Sequence, residues 1–159
     1  MKTISNFNFK NKTVILRTDL NSEVVNNKVL LSERIKEAVK TISELKKKKA
    51  KIVILAHQGQ PGKSDFISLK QHAKFLNKYT KIKFVNDIIG KKAENAIENM
   101  KNGEAILLDN IRKEKDEFNP DKKENKLLNL IELCDIYVND AFSVSHRREA
   151  SIVLFPKYM

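Results

Sequence analysis

A chain of 159 residues with 41% hydrophobic content can bury about two-thirds of its unfolded surface, which supports one core and one domain over residues 1–159. Its 31 Lys and Arg against 20 Asp and Glu leave a formal charge of +11 at pH 7, so its field attracts anionic partners and repels cationic ones. The N-terminus lacks a signal-peptide-like apolar run, no segment reaches the roughly 20 apolar residues of a membrane span, and the lone Cys134 excludes an intrachain disulfide; a cytoplasmic protein is expected.

Thr13 to Leu16 is a short apolar, β-branched run that predicts a buried strand ending near Arg17. The segment Val24 to Leu30 places apolar pairs around Asn26-Asn27, the pattern of a small hairpin. Ser32 then stands where a helix cap belongs. Ile35, Ala38, Val39, Ile42 and Leu45 follow at the three-and-four spacing of a buried helical face, predicting a helix to about Lys48. Lys46 to Lys49 fall at its end, where cations complement the helix dipole.

Ile52 to Ala56 is apolar throughout, as a strand covered on both faces must be. Ser68, with Gln71 three residues on, predicts a capped helix to about Tyr79, followed by a strand near Ile82 to Val85. Asp87 is expected to cap a helix carrying Ala93, Ala96, Ile97 and Met100, which ends at the Asn102-Gly103 turn before strand Ala105 to Leu108. Leu127, Leu128, Leu130 and Ile131 mark a helix after Asp121, Ile136 to Val138 a strand, and Ile152 to Leu154 a final strand. Cys134, between apolar neighbours, reads as a buried thiol, and Phe155 to Met159 as apolar surface able to drive self-association. Strands alternating with helices define a doubly wound α/β fold, with a mostly parallel sheet between helices on both faces, a Rossmann-like three-layer sandwich.

In such sheets ligands bind beyond the carboxyl ends of the strands. Only five arginines occur; Arg17, Arg112, Arg147 and Arg148 fall in or just after strand-end segments, and Arg34 lies in the first turn of a helix. A cation there opposes the dipole, a conflict that a bound anion resolves. These positions suggest a basic crevice in which Arg34, Arg112 and Arg147 grip phosphate or carboxylate while Asp19, Asn21 and His57 hydrogen-bond hydroxyl groups. Asp19 and Asn21 serve equally well as turn formers, His57 as a structural donor, and Arg148 as a solvated charge. The four glycines form neither a G-x-x-x-x-G-K-[ST] nor a G-x-G-x-x-G loop, and the three His and single Cys lack zinc-site spacing; no nucleotide or metal held by this chain is expected. Basic stretches are not interleaved with aromatics, so the Lys excess reads as a solvated coat and not as a nucleic-acid surface.

The strand-end segments read Arg17-Thr18-Asp19-Leu20-Asn21, Ala56-His57-Gln58-Gly59-Gln60-Pro61, Asp109-Asn110-Ile111-Arg112 and Val138-Asn139-Asp140-Ala141-Phe142, ending in His146-Arg147. In that order they resemble the R-x-D-x-N, S/A-H-x-x-R-P, E-N-x-R and V-N-D-A-F-x-x-x-H-R signatures of the N-terminal, 3-phosphoglycerate-binding domain of phosphoglycerate kinase. The short loops and the Ala-His-Gln-Gly turn are more similar to archaeal members. The resemblance implies reversible phosphoryl transfer between ATP with 3-phosphoglycerate and ADP with 1,3-bisphosphoglycerate. It places Asp19, Leu20 and Asn21 on the glycerate, Arg34, Arg112 and Arg147 at its phosphate and carboxylate ends, His57, Gln58, Gly59 and Gln60 on one wall and His146 among the substrate-binding residues, with Arg34 also catalytic. Mg-ATP or Mg-ADP would be bound by the family's C-terminal nucleotide domain, in cis or in trans.

The sequence departs from the family at Gln60, where Arg is usual, at Asp109, where Glu is usual and where a shorter acid could reposition Arg112, and at Met159, near where the family continues into its nucleotide domain. Losing a charged hydrogen bond at Gln60 is expected to weaken substrate binding about 10- to 100-fold. The chain alone is expected to be inactive. The alternative is a stand-alone module binding small phosphorylated anions, without kinase activity.

Overall fold

A computed structural model describes residues 2–159. Its central sheet is five-stranded and wholly parallel: β1 (Thr13–Thr18), β4 (Lys51–Leu55), β5 (Lys83–Val85), β6 (Ala105–Leu108) and β7 (Ile136–Asp140) lie in the order β5-β6-β4-β1-β7. A two-stranded hairpin, β2 (Val24–Val25) and β3 (Lys28–Val29), stands apart from it. Asn26 and Asn27 turn that hairpin with φ of 49° and 60°, the left-handed pair of a type I′ turn, which asparagine tolerates better than most residues.

The alternation of side chains along each strand divides the core in two. Val14, Leu16, Ile52, Ile54 and Leu107 meet Ile35, Ala38, Ile42 and Leu45 of α1 (Glu33–Lys47) and Ala73 and Leu76 of α2 (Lys70–Leu76). On the opposite face Ile15, Val53, Leu55, Ile106 and Leu108 meet Ala93 and Ile97 of α3 (Lys91–Glu98), Leu130 of α4 (Leu128–Glu132), Ala150 of α5 (Ala150–Val153) and Phe155 of α6 (Phe155–Tyr158). This is the doubly wound three-layer sandwich that the strand–helix alternation implies. Every β1, β4 and β6 residue is buried except Lys51, as strands covered on both faces require.

The structure corrects several local expectations. Ile152 to Leu154 is no strand: Ile152 and Val153 donate their amides to the Glu149 carbonyl at 2.9 and 3.0 Å, forming α5 and leaving β7 at the sheet edge. Short apolar runs carry no period that separates strand from buried helix. Ser68 lies one residue before the α2 cap position, and Gln71 bonds Val29 and Asn27 of the hairpin instead of reaching back to Ser68. That helix stops at Leu76, where Asn77 turns the chain by bonding Ala73 and Ile82. Asp87 serves α3 from outside the cap position, accepting from Gly90 and Ala93. Phe155 is buried, Cys134 is half-buried, and burial pushes the Cys134 thiol up to about 12.

Candidate functional site

Parallel pairing aligns the strand ends. Arg17 of β1 sits opposite Leu55 of β4 and Asn139 of β7, so the loops that follow all three open on the same side. Between them lies a cavity of about 440 Å³, lined by Asn21, Arg34, His57, Gly59, Gln60, Lys63, Asp65, Arg112, Ser143, Val144 and Arg147. Seven of the eleven stand among the predicted substrate residues, drawn from four separate loops and one helix.

The rim is built around Asp19. Its carboxylate accepts the Asn21 amide at 3.0 Å, the Ser143 hydroxyl, and an ion pair from Arg34 at 3.3 Å, and Arg34 also bonds the Asn21 carbonyl at 3.3 Å. Asp19 therefore shapes the turn and holds the guanidinium, while half of the Arg34 side chain stays exposed. The Asn21 side-chain oxygen accepts the Gly59 amide at 2.8 Å, tying the first loop to the second. Gly59 has φ +65°, and a Cβ there would lie 2.5 Å from the Asp65 carbonyl oxygen; only glycine fits this close fold-back of the loop. Arg147 stands exposed and, among the described residues, has no acidic partner.

Below the rim the charges are dry. Arg112 gives Nε and Nη2 to Glu149 and Nη1 to the Gly59 carbonyl at 2.9 Å, with almost no exposure. Arg17 is fully buried, bonding Ser151 Oγ at 2.9 Å, the Thr18 carbonyl at 2.9 Å and His57 Nδ1 at 3.1 Å, with Glu149 at 3.5 Å. Because guanidinium can only donate, His57 Nδ1 is the acceptor and Nε2 carries the proton. Burial, then the neighbouring Arg17 and Arg112, lowers His57 to about 2, so at neutral pH it is an uncharged donor on the cavity wall and not an acid–base catalyst. Glu117, wholly buried, accepts both the amide and hydroxyl of Ser151, and burial raises it to about 7 against the pull of Arg17.

Three predicted residues lie elsewhere. Leu20 is fully buried in the core. Gln58 is fully buried too, its amide paired with Ser22 N, Ser22 O and His72, so both hold the loops from behind. His146 is exposed but does not line the cavity. Asp109 does not touch Arg112: it accepts from Ser68, the Leu69 amide and Lys113, bonds that hold its carboxyl below the usual range despite burial. Arg148 is solvated, as expected, and meets Asp121 at 2.7 Å. The residues that went unseen are Lys63, Asp65, Ser143 and Val144 on the wall and Glu117, Glu149 and Ser151 beneath it. Lys63 was within reach of sequence reasoning, because it sits in the same strand-end loop as His57.

Fold and site together define an α/β domain with an anion-attracting crevice at the carboxyl edge of a parallel sheet. Comparison with known proteins specifies it further. The sequence model of the family described as Phosphoglycerate kinase matches residues 4–159, and the chain belongs to that family. It is 40% identical to phosphoglycerate kinase of Methanopyrus kandleri over 99% of this chain and 46% identical to that of Sulfolobus acidocaldarius over 97%. The crystal structure of phosphoglycerate kinase from Pyrococcus horikoshii OT3 superposes with a TM-score of 0.90 at 34% identity, covering 98% of this chain, and the Coxiella burnetii enzyme with 0.78 at 36%, covering 93%. The chain spans about 40% of the length of these relatives, between 37% and 40% in the four cases, and is of the archaeal type.

Proposed function

We propose that residues 1–159 form the substrate-binding unit of a phosphoglycerate kinase, holding 3-phosphoglycerate or 1,3-bisphosphoglycerate in the crevice. The observation that carries this reading is the convergence of Arg34 and Arg147 on one cavity whose wall adds the neutral donor His57. The phosphate and carboxylate ends meet the rim cations, while Asn21 and His57 lie within the cavity to bond the hydroxyl. Glycolytic turnover then needs the nucleotide-binding half of the family, in the same chain or another, to present Mg-ATP as the second substrate in the cytoplasm. Arg34, anchored by Asp19 yet half exposed, is the preorganised cation for charge developing on the transferring phosphoryl group.

No glycine-rich phosphate loop occurs in this sequence, so no step of nucleotide binding is assigned to it. The test is an NMR titration of labelled protein with 3-phosphoglycerate, with inorganic phosphate as control. Saturable shifts at Asp19, Arg34, His57 and Arg147, tighter than with phosphate, are expected; diffuse or equal shifts would overturn the glycerate site. Adding a separately prepared nucleotide domain of an archaeal relative is expected to restore turnover that the chain lacks alone. Binding without restoration would instead favour a stand-alone phosphoanion module.

A further inference from the structure

The crevice presents four cations to a ligand, Arg34, Lys63, Arg112 and Arg147, but they are not equally available. Arg112 is already matched by Glu149, and Arg34 is partly matched by Asp19. Among the described residues, neither Lys63 nor Arg147 forms an ion pair. Lys63 and Arg147 therefore keep their full charge for a doubly charged phosphate, whereas Arg112 and Arg34 already share theirs with carboxylates. Among the described residues of this Lys-rich chain, Lys63 is the one lysine that lines the cavity.

Its placement is fixed by a turn. Lys63 N donates to the Gln60 carbonyl at 3.0 Å, with Pro61 and Gly62 between them and Gly62 at φ +83°. Pro followed by a left-handed Gly is the type II β-turn, whose first and last Cα atoms lie within about 7 Å. Lys63 thus brings a cation beside neutral Gln60 on the same turn, and both line the cavity.

We propose that Lys63 is a specificity-determining ligand for the phosphate group of the substrate, supplying from the fourth position of the turn the positive charge that Gln60 does not. This rests on the 3-phosphoglycerate reading of the crevice. The experiment compares 3-phosphoglycerate titrations of wild type, Lys63→Gln, Lys63→Glu and Lys63→Arg, with Lys74→Gln, an exposed lysine of α2 away from the cavity, as control. Lys63→Gln is expected to weaken binding about 10-fold, Lys63→Glu further, and Lys63→Arg to stay within about 3-fold of wild type, with Lys74→Gln unchanged. Wild-type affinity in Lys63→Gln would overturn the role of Lys63 and leave the glycerate site standing. Absence of binding by wild type would overturn that site and Lys63 with it. Thermal melts of the same variants are expected to coincide, and a lowered melt in Lys63→Gln without restoration in Lys63→Arg would assign the loss to folding and reject the proposal.

Discussion

At and beneath the floor of the crevice Arg17 and Arg112 are almost wholly excluded from water and converge on Glu149, whereas at the rim Arg34 keeps half its side chain in solvent and Arg147, among the described residues, has no acidic partner. The same side chain does two jobs, and burial decides which. A dry guanidinium needs its donors filled within the protein, so the floor arginines bind loops to one another and have little charge left for a ligand. A wet one is solvated by water and needs no such full set of protein partners.

The contrast breaks most severely at Glu149. Glu149→Ala leaves two buried guanidinium groups without their common carboxylate and is expected to cost about 3–5 kcal/mol of stability, read from urea unfolding. A loss below about 1 kcal/mol would show that the floor does not depend on this carboxylate.

Next in size is the pH dependence of the same layer. Glu117 rises from 4.5 to about 7 on folding, so as pH climbs between those values the unfolded chain releases its proton while the folded chain keeps it. The contribution of Glu117 to stability therefore falls with rising pH, by an amount on the order of 3 kcal/mol across the window. His57 and His72, lowered from 6.5 to about 2 and about 4 chiefly by burial, act in the opposite sense: the unfolded chain takes up protons as pH drops below 6.5, and stability falls with acid. Between pH 4.5 and 6.5 two histidines are opposed by one glutamate. Glu117→Gln should steepen the acid loss from a net slope of about one proton to about two, and abolish the decline toward pH 7. Unchanged slopes in denaturation series across pH would show that Glu117 is ionised in the folded protein.

A smaller effect sharpens the boundary between floor and rim. Gly59→Ala forces a Cβ into the Asp65 carbonyl at a left-handed backbone position, and a loss of about 1–3 kcal/mol is expected in thermal or urea melts. Least of all for stability is Arg147→Ala, expected to stay within about 0.5 kcal/mol of wild type while 3-phosphoglycerate affinity drops about 10-fold or more. A rim arginine whose removal unfolds the protein would erase the distinction.

The sheet was readable because its strands are short, apolar on both faces and separated by helices of clear period; Ile52 to Leu55 and Ala105 to Leu108 needed no other information. The rim was readable as well, since Arg34, Gly59 and Arg147 belong to segments that a parallel sheet must bring to one edge. Leu20 and Gln58 entered through the motif resemblance, and their side chains turn to the core because neighbouring residues of a strand-end segment share a motif without sharing a side.

Local periodicity thus determined the fold class and the sheet edge at which the cavity opens, and the arginine positions with the motif resemblance marked seven of its eleven lining residues. Pairing in the floor was decided only in three dimensions. Ser151 meets Arg17 across 134 residues of chain, and Glu149 meets Arg112 across 37. Such partners are chosen by which buried charge lacks a counter-ion once the helices have packed, a condition that exists only after water has been excluded.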